Sequence, residues 1–591
     1  MNNQFLNYFE KELESLKKDA VEFSKSNPKL ARNLGLNEKG IDDPNISRLI
    51  ESIAFLNAKV SKRLDDGVEE MAESMLATLY PDFEAPFPAI SAAKFEIDGS
   101  LATESVIKQG ELITLTNENK QEWFFSVAAD TEINPIQVSK VEYKGLPFEK
   151  PEAQGAEKIK AKLSISFEVD KKVAKDEEIQ VNSLRLKFND EARVNTRLYE
   201  AIAKGTVCAE LEIGAEKKKI ELKQIKKTGF ESELKLLPKS YQQLDAMQLA
   251  RSVLNSVESY LYLELQDLQI KLTREDQLTI SLYLSKHDVE LEQNVSAKSI
   301  EYGCVPIVNL YSQSADPYLL KDNETRDIEI SDNRRRSLEV QKIEQVESLV
   351  GKATRRIIPA AYEPTLESED DLCWSAKRHK TILNGAAYSK ISLQIQHKRK
   401  DVDGVIIQPR VWVMNQHGAS QEINRSERLT IEFNQARSEI KSITLGESVR
   451  EGKRIDVSGR ARWAILKRLN MGYISEQGVT AIKELLHQVN VYQDEQINLM
   501  IEAITDCSTK RITKRAFDEE HSGFLNGHLI KLQIAKAPFE NCSMYIFGLV
   551  INRLLSELTA INSFTQLVIE TVGQSTETII FPVRSGQLRF L

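Results

Sequence analysis

The stretch DPNISRLIESIAFLNAKVSKRLDDGVEEMAESMLATLYP, residues 43–81, decides how this chain is read. Asp43 offers a side-chain oxygen to the free amides of a helix start, and Pro44 suits the first helical position, where no backbone bond is lost. Behind them Ile46, Leu49, Ile53, Leu56, Val60 and Leu64 recur at steps of three and four, which lays an apolar stripe along one helix. Gly67 is expected to loosen the helix before Met71, Met75 and Leu79 resume the stripe, and Tyr80-Pro81 to close it. Upstream, Phe5, Phe9, Leu13, Leu16, Ala20 and Phe23 fall at steps of four, four, three, four and three, and Asn27-Pro28 ends that helix. Two helices cannot bury two long stripes by themselves, so another body must cover them. The candidate partner interface is therefore Phe5, Phe9, Leu13, Leu16, Ile46, Leu49, Ile53 and Leu56. The competing reading is that these helices pack only on their own domain.

Past this segment the pattern changes. Pro81, Pro86 and Pro88 mark a rigid linker that would let the flanking parts adopt different angles. Strand-like runs follow at 92–97, 112–116 and 123–127, and Lys162–Val169 alternates Leu163, Ile165, Phe167 and Val169 as a half-buried strand should. A helix is expected over 195–204, a hairpin over 207–213 and 219–222, and strands at 260–265 and 279–284. The middle is strand-rich again, with strands at 405–414 and 428–433 and an acidic loop at 367–371. Further on, helices are expected over 460–469, 476–489 and 543–558, and the chain closes on a hairpin over Gly573. The fold class is α+β and multi-domain, with an N-terminal helical segment, then β-rich modules and a mixed α/β C-terminal module. The boundaries drawn are 1–88, 89–299, 300–450 and 451–591, because 591 residues exceed the roughly 250–300 that one core supports.

Charge and chemistry narrow the function classes. The formal net charge is −9 with both signs mixed along the chain, and nucleic-acid binding needs a concentrated basic face. Arg334-Arg335-Arg336 and Lys398-Arg399-Lys400 are the nearest basic runs, each too short to carry affinity alone, so no nucleic-acid partner is expected. No signal peptide is read at Met1–Phe5 and no run reaches the roughly 20 apolar residues a bilayer needs, so no direct membrane insertion is expected. Cys208, Cys304, Cys373, Cys507 and Cys542 are odd in number and far apart, which suits reduced thiols and a cytoplasmic location.

The catalytic search finds no phosphate-binding glycine loop, no serine-nucleophile elbow and no paired-histidine zinc motif. His521, His528 and Cys542 match no zinc spacing, and Asp401-Val402-Asp403-Gly404 opens like a calcium loop but lacks its later ligands. Asp65-Asp66 and Asp370-Asp371 are adjacent carboxylates in polar segments, and Trp123, Trp374, Trp412 and Trp463 sit in separate modules as core anchors. No catalytic residue, metal or cofactor is assigned, and the chain is read as a non-enzyme. The alternatives carried forward are a carbohydrate-acting enzyme and a phosphate-binding module among the β-rich domains.

Several runs carry a specific resemblance. They include Tyr8–Leu13, Arg48–Glu51, Ala54-Phe55-Leu56, Leu64-Asp65-Asp66 and Leu79-Tyr80-Pro81. The middle contributes Cys304–Tyr311, Ala315-Asp316-Pro317 and Leu338-Glu339-Val340, and the end Phe547-Gly548, Ile561–Leu567 and Phe581–Gly586. In order along the whole chain, these resemble the TssF (ImpG, VasA) baseplate proteins of the bacterial type VI secretion system. Residues 245–262 and 413–416 depart from the family pattern. The resemblance implies a structural wedge subunit of a contractile, phage-tail-like apparatus, with two copies joining one smaller TssG. It further implies contacts with TssK, TssE and the spike hub, and docking at the cytoplasmic face of the inner-membrane complex. It implies no catalysis.

Overall fold

Asp43 starts the long helix as its side chain suggests: its Oδ1 accepts the Asn45 amide at 2.8 Å, and its carbonyl accepts the Ser47 amide at 3.0 Å. The computed structural model describes residues 3–586 apart from 34–35, 38–39, 42, 80–82, 102–104, 153–154, 175–176, 215, 227–235, 238–244, 322–323, 332–337, 351–353, 362–371, 384–385, 398–403, 416–418, 427, 434–438, 455–461, 464–477, 491–493, 518–521, 541 and 573–576. The chain divides into two units, one of residues 1–79 with 457–467, the other of residues 80–456 with 468–591.

The first unit is helical. It holds α1 (Asn3–Ser26), α2 (Pro28–Asn33) and the 36-residue α3 (Pro44–Leu79). Asn27 separates α1 from α2, as the Asn27-Pro28 reading requires. Gly67 does not loosen α3. The helix runs through it unbroken, because a glycine costs only about 1 kcal/mol against the bonds on either side.

The second unit carries most of the strands. Its first sheet has six, in the order Thr430–Phe433, Leu112–Thr116, Glu122–Val127, Cys304–Val308, Ile90–Ile97 and Ile440–Leu445. A five-stranded sheet follows with Ala161–Val169 inside it, and there Leu163, Ile165 and Phe167 are buried at every second position. Expected helices and hairpins appear with small boundary shifts: α4 at Ala192–Gly205, and Thr206–Ile213 paired with Glu216–Ile220. The middle of the chain builds a further sheet around Leu338–Val350 and Ile406–Asn415, packed with the Leu372–Leu383/Ala386–His397 hairpin over one apolar core. Three smaller helices are α5 (Asp245–Asn255), α6 (Val289–Asn294) and α7 (Ala419–Arg425).

The C-terminal sheet is ordered Ile504–Phe517, Ser522–Ala535, Ser563–Val572 and Thr578–Ile580, with helices α8 (Val479–Val489), α9 (Glu495–Glu502) and α10 (Met544–Glu557). Its second and third strands run parallel, and α10 provides the crossover between them. Gly548 permits the close approach of α10 to the sheet. A Cβ there would lie 2.3 Å from the Phe581 ring and 2.7 Å from Ile569.

From Phe83 onward the proline-rich stretch is held within the second unit. Phe83, Ala85 and Phe87 are buried. The Arg251 guanidinium of α5 lies over the Phe83 ring at 3.9 Å, and its Nη1 donates to the Phe83 carbonyl at 2.7 Å. Phe87 and Lys453 exchange backbone hydrogen bonds of 2.7 and 2.8 Å, and Gly452 leaves room for this pair. A charge-assisted bond and a desolvated cation–π contact together argue for about 2 kcal/mol or more at Arg251. Arg251→Ala is therefore expected to expose Phe83 and Phe87 to chymotrypsin under native conditions. Cleavage at the wild-type rate would show that the linker is held elsewhere.

Candidate partner interface

The α3 helix divides its residues between two faces by size. Ala54, Ala58, Ala72 and Leu76 are buried, and the small alanines let a neighbouring helix approach closely. That neighbour is α1, which packs on α3. The Tyr8 hydroxyl donates to Asp65 at 2.7 Å, the Ser61 hydroxyl donates to Glu12 at 2.9 Å, and the Phe5 and Phe55 rings meet edge to face at 5.2 Å. The chain returns to this unit late. The indole Nε1 of Trp463 donates to the Val68 carbonyl at 3.2 Å, and Arg462 lies 3.9 Å from Glu73.

The other face of α3 is large, apolar and exposed. Leu49, Ile53, Leu56, Val60, Leu64, Val68, Met71 and Met75 are all among the exposed large hydrophobics, Leu64 at 67%. From Leu49 to Met75 the stripe spans about 39 Å at 1.5 Å per residue. Each such side chain is worth about 1.5–3 kcal/mol when fully buried, so an uncovered stripe of this length is a strong demand for a partner.

The eight residues chosen from sequence separate accordingly. Phe5, Phe9, Leu13 and Leu16 of α1 are half-buried, as is Ile46 of α3, whereas Leu49, Ile53 and Leu56 are exposed. The continuation through Val60, Leu64, Val68, Met71 and Met75 was missing from that choice. Its signal was the same three-and-four spacing, which holds on both sides of Gly67. The contribution of Arg462 and Trp463 had no sequence signal, since nothing local pairs them with α3.

The side chains raised as chemical candidates are placed as follows. Asp65 is the acceptor of Tyr8, and Trp123 is buried while Trp374, Trp412 and Trp463 are half-buried. All five cysteines are free thiols, and burial pushes Cys304 up to about 12. His528 is pushed down by burial and by Arg511, and Cys542 is raised by burial. Among the described residues no group of three metal-ligating side chains forms. Arg334–Arg336, Lys398–Lys400, 367–371, 401–403, His521 and most of 460–469 lie outside the described residues.

One polar cluster invites a catalytic reading. The Ser392 hydroxyl lies 2.7 Å from Asp327 and 3.1 Å from His379 Nδ1, and His379 Nε2 lies 3.7 Å from the same carboxylate. A nucleophile relay needs the imidazole between hydroxyl and carboxylate. Here Ser392 bonds the carboxylate directly, so the three groups form a closed triangle; that hydrogen bond first, then the nearby His379 and Lys390 at 3.6 Å, hold Asp327 below the usual carboxylate range.

Comparison with known proteins gives this arrangement a setting. The family described as "Type VI secretion system, TssF" matches residues 1–588. The type VI secretion system component TssF1 of Pseudomonas aeruginosa (strain PAO1) is 23% identical, with 99% of each chain covered. Two solved structures share the fold. One, a cryo-electron microscopy structure of the type VI secretion system TssK-TssF-TssG baseplate subcomplex, gives a TM-score of 0.71 at 17% identity, covering 92% of this chain and 99% of that one. The other, the baseplate complex from the type VI secretion system, gives 0.57 at 16% identity, covering 99% and 100%.

Proposed function

The chain belongs to the TssF family of type VI secretion system proteins, and from that premise we propose that it is a structural wedge subunit of the baseplate, joined to its partners through α3. The observation that carries this is the exposed apolar stripe from Leu49 to Met75. A helix bundle with a TssG-like protein and a second copy of this chain is the arrangement that buries it. The presence of TssK and TssG beside TssF in a related solved structure supports those two partners. TssE, the spike hub and the cytoplasmic face of the inner-membrane complex complete the expected surroundings. No helix among the described residues is long and apolar enough to cross a membrane. On this reading the work of the chain is positional rather than catalytic.

Co-expression with the TssG-like protein tests the proposal. A complex that co-purifies and survives size exclusion, with more than one copy of this chain per partner, is the expected result. Well-folded chains that elute alone beside that partner would overturn it.

A further inference from the structure

The chain crosses between its two units three times, and two of the crossings lead out of one stem. Residues 83–90, on the way from α3, and residues 450–454, on the way back to that unit, pair antiparallel. Phe87 and Lys453 exchange backbone bonds of 2.7 and 2.8 Å, and Ile90 and Arg450 exchange bonds of 3.2 and 2.9 Å. Gly452 makes the approach possible, because a Cβ there would lie 2.7 Å from the Phe87 carbonyl oxygen. Each strand of the stem is also gripped from the side. Arg251 of α5 holds Phe83 by its ring and its carbonyl, and α10 of the C-terminal sheet packs on α5. Arg450 donates to the Ser256 hydroxyl at 3.2 Å and pairs with Glu258. Arg454, one residue past the Lys453 pair, donates its Nε at 2.9 Å to Glu339 of the strand Leu338–Val350.

From this arrangement, and resting on the wedge reading in which α3 is engaged, we infer that the stem is a coupling device: capture of the α3 stripe by a partner is felt in the middle strands through Arg454 and Glu339. The first link is length. The chain enters the first unit at Val457, three residues past Arg454, a tether with a reach of about 10 Å. Beyond it Trp463 and Arg462 fasten the incoming segment to α3 itself. The second link is the ion pair on which the tether ends. Glu339 is buried, so pulling Arg454 away strands a charge, which costs far more than moving the two together. The third link lies within the middle strands. The same carboxylate accepts the Ser389 amide and hydroxyl, so a displacement at Arg454 reaches both Leu338–Val350 and Ala386–His397. Packed elements answer such a shift by changing between discrete arrangements rather than by yielding. Ordering one end of a connected body also lowers the cost of ordering the other, so capture of α3 makes local opening of these strands rarer.

Amide hydrogen exchange of the full chain, alone and in complex with the TssG-like partner, tests this. Amides of Leu338–Val350 and Ala386–His397 are expected to exchange at least about fivefold more slowly in the complex. Two variants break the coupling by different routes. Glu339→Gln with Arg454→Met removes the ion pair without leaving either charge buried alone. A short glycine-serine insert between Asp456 and Val457 slackens the tether and leaves Arg454 and Glu339 as they are, and loop lengthening of this kind is well tolerated. Both variants should still co-purify with the partner through α3 and lose the remote slowing. If the paired substitution lowers the melting temperature, the insertion variant decides alone. Equal exchange in free and bound wild-type chain would overturn the inference. So would slowing that persists in the insertion variant, because it would then come from the partner shielding these strands directly. A wild-type chain that does not bind the partner at all overturns the wedge assignment instead, and shows at purification before any exchange is measured.

Discussion

Leu56→Asp with Val60→Asp on α3 is expected to abolish the complex with the TssG-like partner while leaving the melting temperature of the isolated chain within about a degree. Both side chains are about 60% exposed, so in the free chain each change exchanges solvated methyl groups for a solvated carboxylate. Surface changes of this kind lie within about 0.5 kcal/mol. In the bundle the same carboxylates must be buried without partners, at a cost of several kcal/mol each. Two of them exceed what a typical interface can lose, since each 1.4 kcal/mol is tenfold in affinity. Pull-down and analytical size exclusion read the loss directly. The α1 positions make a poorer probe: Phe9 and Leu13 are half-buried against their own unit, so aspartate there damages the local core as well as any interface. Retention of the complex by the α3 double variant would move the interface to another surface.

That contrast also explains what could and could not be read from the sequence. Periodicity locates the stripes because it depends only on spacing, and it found α1, α3 and the alternating strand Ala161–Val169. Spacing says nothing about which of two apolar stripes a neighbouring helix will cover. The distinction lies in size. Ala54 and Ala58 sit where α1 can come close, so the stripe of leucines and methionines is left outward. The prolines fix backbone shape locally and so give no sign of what pins Phe83 and Phe87, whose partners Arg251 and Lys453 lie far along the chain. The long hairpins at 372–397 and 504–535 escaped because lysines, arginines, serines and threonines interrupt their apolar runs. Each strand keeps one apolar face on a core while water reaches the other, where such residues are tolerated.

Leu338-Glu339-Val340 helped to carry the family resemblance, and the structure gives its central residue a physical task. Glu339 is buried to 1% exposure. Its Oε1 accepts the Ser389 amide at 2.8 Å and the Ser389 hydroxyl at 3.0 Å, while Oε2 accepts Arg454 Nε at 2.9 Å and Arg454 Nη2. The carboxylate therefore ties the strand Leu338–Val350 to the Leu372–Leu383/Ala386–His397 hairpin and to the chain 115 residues onward at Arg454. Replacing one member of a buried pair strands the other charge, which costs about 3–5 kcal/mol. Such a loss approaches the whole stability of many domains. Glu339→Ala should accordingly unfold this region well before the rest, as an early transition in calorimetry and a loss of amide protection in the strands Leu338–Val350 and Ala386–His397. Glu339→Gln keeps an acceptor for Ser389 and removes only the charge, so a smaller loss is expected. Adding Arg454→Met to Glu339→Gln should then recover part of it, because the uncompensated guanidinium is gone. If Glu339→Ala and wild type unfold together, this ion pair does not hold the region, and a contact of the motif to another baseplate protein becomes the reading to test.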